Sequence, residues 1–202
     1  MGVRPGPASC RARLSEVLFV RHATSAGMRE VRFPADDSAD GPADASGLAR
    51  ARLLGGTLPR DAEAWSSPAR AARETCAALG LDARPVAALA EAECGRWAGV
   101  PYAVVAENEP DALASWLSDP RAVPHGGESR ADLADRVADW LGSGASGIAV
   151  CDAGVIRAAL AHVLGLDVMA ADRFDLAPLS TTRLTSAGGG WRVAHVNRKV
   201  PA

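Results

Sequence analysis

The sequence predicts an α/β fold, a three-layer α/β/α sandwich around a mostly parallel sheet with an antiparallel C-terminal edge. Two short apolar runs, Glu16–Val20 and Gly147–Cys151, end abruptly in polar residues, which is typical of buried parallel strands. Strand-like runs alternate with segments of helical spacing along the chain, as layered α/β folds require. Near the C terminus, Leu179–Thr185 and Trp191–Val196 flank three glycines, which favours an antiparallel pair.

The first half of the chain carries two helices between short strands. Residues 1–14 contain two prolines and are expected to form a disordered lead before a single domain over 15–202. Residues 24–45 have no clear period, and we expect a long loop beside the site, with at most one helical turn. The following elements are a helix with Leu48, Ala51, Leu54 and Leu58 on one face, a strand at Ala62–Trp65, a helix opened by Ser67 and Pro68 and ended by Gly80, and an extended stretch at Pro85–Leu89.

The second half repeats the alternation of strand and helix. Pro101–Pro124 predicts short helices and a loop, with Leu113, Trp116 and Leu117 as apolar anchors. Ser129 precedes a helix, as an N-cap residue would. The remaining elements are the Gly147–Cys151 strand, a helix with Ile156, Ala159, Leu160, Val163 and Leu164 on one face, and the closing pair of strands.

Composition excludes several classes of function. The chain has 202 residues, 48% hydrophobic and 23% charged, which suits one globular domain with a sizeable core. The net charge is -2 and no basic stretch is long, so we expect no nucleic-acid partner. No apolar run approaches the ~20 residues of a membrane span, and residues 1–15 lack a secretory pattern. Four cysteines without a CxxC pair favour reduced thiols and a cytoplasmic location.

Charged side chains follow the predicted strands and should meet at one edge of the sheet. Arg21 and His22 follow the first strand, Arg70 lies in the first turn of a helix, and Glu91 follows an extended stretch. Ligand sites of open α/β sheets lie at the carboxyl ends of the strands. Arginine binds phosphate in a bidentate manner, and a neutral histidine can attack phosphorus. This set predicts phosphoryl chemistry or acid/base chemistry on an anionic small molecule.

Five motifs in order make the chain similar to a known family. The chain resembles the histidine phosphatase superfamily, the phosphoglycerate mutase-like enzymes, and within it the small cobalamin-pathway, alpha-ribazole phosphatase-type enzymes. The five matching stretches are Leu18-Phe19-Val20-Arg21-His22-Ala23-Thr24, Ser66-Ser67-Pro68-Ala69-Arg70 with the helix that follows, Leu89 to Gly99, Pro124-His125-Gly126-Gly127-Glu128-Ser129, and Asp152-Ala153-Gly154-Val155-Ile156-Arg157.

The resemblance implies a role for each matching position. His22 would attack phosphorus and form a phosphohistidine, and Arg21 and Arg70 would bind the phosphoryl oxygens. Glu91 would protonate the leaving oxygen and later activate water, although Glu93 is an alternative acid. The remaining candidates are Thr24 and Ala153 at the phosphate site, and Glu93, Trp97 and His125 at the substrate mouth. The resemblance implies neither a metal nor another cofactor, and it allows a homodimer, because dimers occur in the family.

Asp152 departs from the family pattern, which has a second histidine at this position. An ionised aspartate cannot donate a hydrogen bond to a phosphoryl group, and one pair of like charges at ~4 Å costs roughly 4 kcal/mol at an effective dielectric near 20. Three hypotheses follow. The chain is a phosphomonoesterase impaired or altered by Asp152, a repurposed biosynthetic enzyme in which His22, Glu91 and Asp152 exchange protons with an anionic substrate, or an inactive member that binds a ligand or a partner protein.

Overall fold

The computed structural model describes residues 15–35, 41–187 and 190–199, so the predicted disordered lead at 1–14 lies outside the described residues. Six strands of this part of the chain form one sheet. The strands are β1 (Ser15–Arg21), β2 (Ala64–Ser66), β3 (Arg84–Pro85), β4 (Gly147–Cys151), β5 (Thr181–Ala187) and β6 (Gly190–Arg198).

The strand order is β3-β2-β4-β1-β5-β6. The first four neighbours pair in parallel, and β1, β5 and β6 pair antiparallel, which confirms the predicted mostly parallel sheet with an antiparallel C-terminal edge. Val20 pairs with Val150 and Arg21 with Cys151. The carboxyl ends of β1 and β4 therefore lie side by side, and the residues that follow them emerge at the same edge.

Helices cover both faces of the sheet. Those that the structure describes are α1 (Ala26–Arg29), α2 (Ala45–Gly55), α3 (Arg70–Leu79), α4 (Tyr102–Asn108), α5 (Pro110–Ser118), α6 (Arg130–Gly142) and α7 (Ala153–Leu164), with 3-10 turns at Ala87–Leu89, Gly95–Trp97 and Ala170–Arg173. Ser129 caps α6, since its hydroxyl accepts a hydrogen bond from the Asp132 amide. Gly80 ends α3 in the left-handed conformation, as predicted.

Successive side chains of β1 point into two different cores, because a strand alternates its faces. Val17 and Phe19 pack with residues of α6 and α7 on one face. Leu18 and Val20 pack with residues of α2 and α3 on the other. This arrangement confirms the three-layer sandwich.

A third, smaller core is aromatic and lies beside the sheet. Phe33, Trp97 and Trp116 pack together with Val105 and Leu113, and the Phe33 and Trp97 ring centroids are 5.1 Å apart. Trp97 donates a hydrogen bond from Nε1 to Glu109. This core fixes the loop around Gly95–Trp97.

Several predicted element boundaries are wrong, among them that of the strand expected at Ala62–Trp65, which is Ala64–Ser66. The helix expected to open at Ser67 and Pro68 begins at Arg70, after Ala69 in extended conformation, and the Ser67 hydroxyl accepts a hydrogen bond from the Ala69 amide. The extended stretch expected at Pro85–Leu89 is a two-residue strand followed by a 3-10 turn. The one helical turn expected in the loop after β1 is α1. Among the described residues, no helix is long and apolar enough to cross a bilayer.

Candidate functional site

His22 and Asp152 are the first residues after the adjacent strands β1 and β4. The His22 amide continues the pairing by donating a hydrogen bond to the Cys151 carbonyl at 3.0 Å. The two side chains meet, with 2.8 Å between His22 Nε2 and Asp152 Oδ1. The register of β1 against β4 therefore creates this contact directly.

The His22 ring is fully buried and both of its nitrogens have partners. Nδ1 lies 2.6 Å from the carbonyl oxygen of Ala23, and Nε2 lies against the Asp152 carboxylate. Burial lowers the pKa of His22, but the charge and hydrogen bond of Asp152 and the Ala23 carbonyl outweigh it and raise that pKa to about 9. Burial alone would raise the pKa of Asp152. The positive charges of His22 and Arg21 outweigh this effect, so the pKa of Asp152 is lowered.

Glu91 approaches the same point from the loop after β3. Its carboxylate accepts hydrogen bonds from the Gly154 amide at 2.9 Å, near the N terminus of α7, and from the Ala92 amide at 2.9 Å. Burial, together with the negative charge of Asp152, raises the pKa of Glu91 to about 7. A carboxyl group in this range exchanges protons readily near neutral pH.

Arg136 of α6 holds the Glu91 loop in place. Its guanidinium donates to the carbonyls of Ala88 at 2.8 Å and Ala90 at 2.7 Å, and its Nε and Nη2 bind the Glu128 carboxylate at 2.6 and 2.8 Å. Sequence reasoning missed Arg136. No helical spacing relates it to Glu128, because Glu128 precedes the Ser129 cap and lies outside α6.

A cavity of about 770 Å³ opens in front of Asp152 and Glu91. The charged side chains that line it, within the described residues, are Arg32, Glu91, Glu93 and Asp152. The rest of its wall is mostly small or apolar, including Met28, Pro34, Pro68, Ala69, Ala90, Ala92, Cys94 and Ala98. Such a cavity has room for a small-molecule ligand beside the two carboxylates.

Arg21 lies behind the cavity. One of its terminal nitrogens donates to the Leu176 carbonyl, and the other lies 4.0 Å from the sulfur of Met28, which lines the cavity. Its Nε is buried and has no hydrogen bond within the described part of the chain. Burial lowers the pKa of Arg21, against the opposing effect of Asp152.

The other residues expected at the phosphate site differ in their exposure and in the contacts that they make. Arg70 Nε donates to Glu74 at 2.7 Å on its own helix, and the Arg70 side chain is 49% exposed. Thr24 is partly buried, and its carbonyl accepts from the Asp44 amide. Ala153 is the first residue of α7 and is buried next to Asp152.

Of the three residues expected at the substrate mouth, one lines the cavity and two are buried away from it. Glu93 is exposed and lines the cavity. Trp97 and His125 lie beneath the surface instead, buried against each other with ring centroids 5.1 Å apart, and neither is among the described residues that line the cavity. Aromatic packing against Phe33 and Trp116 draws Trp97 inward.

Comparison with known families bears out the resemblance in the motifs. A family model described as the histidine phosphatase superfamily, branch 1, matches residues 17–199. A glucosyl-3-phosphoglycerate phosphatase of Mycolicibacterium vanbaalenii is 38% identical over 120 residues, which are 51% of this chain and 53% of the relative. The matched segment thus spans about half the length of this curated relative.

Solved structures agree with the fold. A mycobacterial glucosyl-3-phosphoglycerate phosphatase in complex with inorganic phosphate superposes with a TM-score of 0.69 at 26% identity, over 91% of this chain and 97% of the other. The alpha-ribazole phosphatase from Shigella flexneri superposes with a TM-score of 0.77 at 16% identity, over 91% and 96%, and shares the fold.

We expect Arg136→Lys to destabilise the protein by about 2–4 kcal/mol, because a lysine cannot bind both the loop carbonyls and Glu128 in the fixed geometry of a guanidinium. Urea denaturation measures the loss. The matched control is Arg192→Lys on the exposed side of β6, which should leave the midpoint unchanged. Equal midpoints for Arg136→Lys and the native chain would contradict the role of Arg136.

Proposed function

Because the chain belongs to the histidine phosphatase superfamily, we propose that it hydrolyses phosphomonoesters of small metabolites in the cavity at the carboxyl edge of the sheet. The observation that carries this proposal is the placement of Glu91. Its carboxyl group faces the cavity, is held by two backbone amides, and has a pKa raised to about 7 by burial and by Asp152. A group of this kind can donate a proton to a leaving oxygen and then take one from water.

Two arginines, Arg21 and Arg70, supply the cationic groups that would bind the phosphoryl oxygens. The buried Nε of Arg21 has no hydrogen bond among the described residues, so donating to a phosphoryl oxygen would break no existing bond once the side chain opens toward the cavity. Arg70 is bound to Glu74 in a partly exposed ion pair. Surface pairs contribute only about 0–1 kcal/mol, so exchanging Glu74 for a phosphoryl group costs little. In this proposal Thr24 and Ala153 complete the wall of the phosphate site.

The relatives narrow the substrate class. Two of them carry the name glucosyl-3-phosphoglycerate phosphatase. By analogy, we propose a phosphorylated small metabolite with a sizeable organic part, which the 770 Å³ cavity would accommodate. Asp152 raises two other hypotheses, a repurposed acid/base enzyme and a non-catalytic binding protein. Each of them is an outcome of the activity test below.

A phosphohistidine at His22 remains a prediction of the family resemblance. It requires Nε2 to leave Asp152 Oδ1, because the nitrogen that would attack phosphorus is the one that now binds the carboxylate. The identity of the nucleophile is therefore a separate question from the hydrolysis itself.

The native chain should release inorganic phosphate from some members of a phosphomonoester panel that includes glucosyl-3-phosphoglycerate. Glu91→Gln should lower kcat on the order of 10²- to 10⁴-fold, the usual contribution of a general acid/base. Glu107→Gln, on the exposed surface of α4, is the matched control and should be unaffected. Background release by the folded native chain over the whole panel would refute the proposal and favour the other two hypotheses.

The pH dependence follows from the raised pKa of Glu91. As a general acid, Glu91 acts only when protonated, so kcat/KM should fall as the pH rises through about 7. An ordinary glutamate would already have lost this proton near pH 4–5. Glu91→Gln should remove this limb from the profile of the residual activity. A native profile that stays flat from pH 6 to about 9 would contradict the assignment.

Gly154→Ala tests the position of the Glu91 carboxylate while leaving residue 91 itself a glutamate. A Cβ at position 154 would overlap the Glu91 carboxylate and displace it. We expect a fall in kcat of at least roughly tenfold, although alanine usually stabilises a helix relative to glycine. Gly142→Ala, where a Cβ would meet nothing within 4 Å, is the control. Phosphate release measures the activity and thermal melting the stability; full activity in Gly154→Ala would count against the placement of Glu91.

A further inference from the structure

Asp152, not His22, is the member of the buried pair that faces the cavity. The Asp152 side chain is 19% exposed and lines the cavity, whereas the His22 side chain is fully buried and is not among the described lining residues. A ligand that enters the cavity therefore meets the carboxylate first, with the imidazole behind it.

The hydrogen bonds of His22 leave no lone pair for attack on phosphorus. The Ala23 carbonyl can only accept, so Nδ1 must carry a proton. An ionised Asp152 carboxylate can also only accept, so Nε2 must carry a proton as well. His22 is then an imidazolium, which is not a nucleophile.

Asp152 has the features that a carboxylate nucleophile needs. Oδ1 is fixed by His22, and Oδ2 has no hydrogen bond to any of the described residues, including the first amides of α7, since Asp152 makes no side-chain capping bond. The charges of His22 and Arg21 favour its ionised form. They also offset its repulsion of a phosphate, as does the N-terminal end of the twelve-residue helix α7.

We propose that Asp152 is the nucleophile of this enzyme and that His22 is a positioning residue, an inference that rests on the proposed phosphatase function. Oδ2 of Asp152 forms a bond to phosphorus while the bond between phosphorus and the leaving oxygen breaks, and protonated Glu91 gives its proton to that oxygen. The product is an aspartyl phosphate. Glu91, now ionised, takes a proton from water, which attacks phosphorus and releases inorganic phosphate and the Asp152 carboxylate.

A simple general-base role fits Asp152 less well than a nucleophilic one. Its pKa is lowered, so it is a weak base near neutral pH, whereas the raised pKa of Glu91 suits proton transfer. Two carboxyl groups whose surroundings separate their pKa values commonly take different roles in one reaction. Asp152 supplies the lone pair and Glu91 moves the protons.

Chemical trapping identifies the phosphorylated residue. The native protein is mixed with the best substrate of the panel, quenched during turnover and treated with sodium borohydride, which reduces an aspartyl phosphate to homoserine. Peptide mass spectrometry should find homoserine at position 152 in the turnover sample and aspartate in a sample without substrate. Phosphate on His22, or unmodified aspartate at 152 during turnover, would overturn the proposal.

The Asp152→Asn substitution separates the alternatives by the direction of its effect. Asp152→Asn removes the nucleophile and should lower the rate by at least roughly a thousandfold, while Asp82→Asn on the exposed surface should not change it. If His22 were the nucleophile, Asp152→Asn would remove the carboxylate that keeps His22 protonated, and activity would be kept or increased.

His22→Gln tests the positioning role with a readout that a purely structural residue would not move. The glutamine amide can still donate to Asp152, so we expect reduced activity with homoserine still formed at position 152. Loss of the imidazolium charge should raise the pKa of Asp152 and shift the acid limb of the pH profile upward. Complete loss of the adduct in folded His22→Gln would overturn the proposal. Absence of phosphate release by the native chain would instead refute the phosphatase function itself.

Discussion

The buried ion pair between His22 and Asp152 is the constraint on which the site depends. It arises from the parallel register of β1 and β4, which places the two residues at the same edge of the sheet. Removing one partner of such a pair leaves an uncompensated charge and typically costs about 3–5 kcal/mol. The pair thus fixes the charge of Asp152, and the charge of Asp152 in turn contributes to the raised pKa of Glu91.

The Glu91 loop is secured by the fold on three sides. Arg136 binds its carbonyls from α6, the Gly154 amide binds its carboxylate from α7, and the Glu128 amide donates to the Glu93 carbonyl at 2.8 Å. A carboxyl group with a raised pKa is useful only if its position is fixed relative to the reacting atoms. The helices that cover one face of the sheet therefore also hold Glu91, the proposed proton donor, at its edge.

The sequence is sufficient to predict the central strands of the sheet and the site residues in the motifs that follow them. The apolar runs ending at Val20 and Cys151 predict the central strands, and the structure brings His22 and Asp152 into contact where those strands end, with Glu91 bound to the neighbouring Gly154 amide. Contacts between distant segments were not predictable: Arg136 reaches Ala88 and Ala90 across more than forty residues. The sequence predicts Trp97 at the substrate mouth. Its burial could not be predicted, because it depends on the aromatic core that distant segments form around it.

An aspartate at position 152, where the family resemblance implies a histidine, gives the site a different distribution of protons. Two histidines in contact need only one shared proton, so one ring nitrogen keeps a lone pair. An aspartate can share no proton while it is ionised, and it therefore holds a proton on Nε2 of His22. Keeping His22 beside Asp152 is then consistent with a cation that orients a carboxylate, and the same two positions support a different division of labour from the one that the family motif implies.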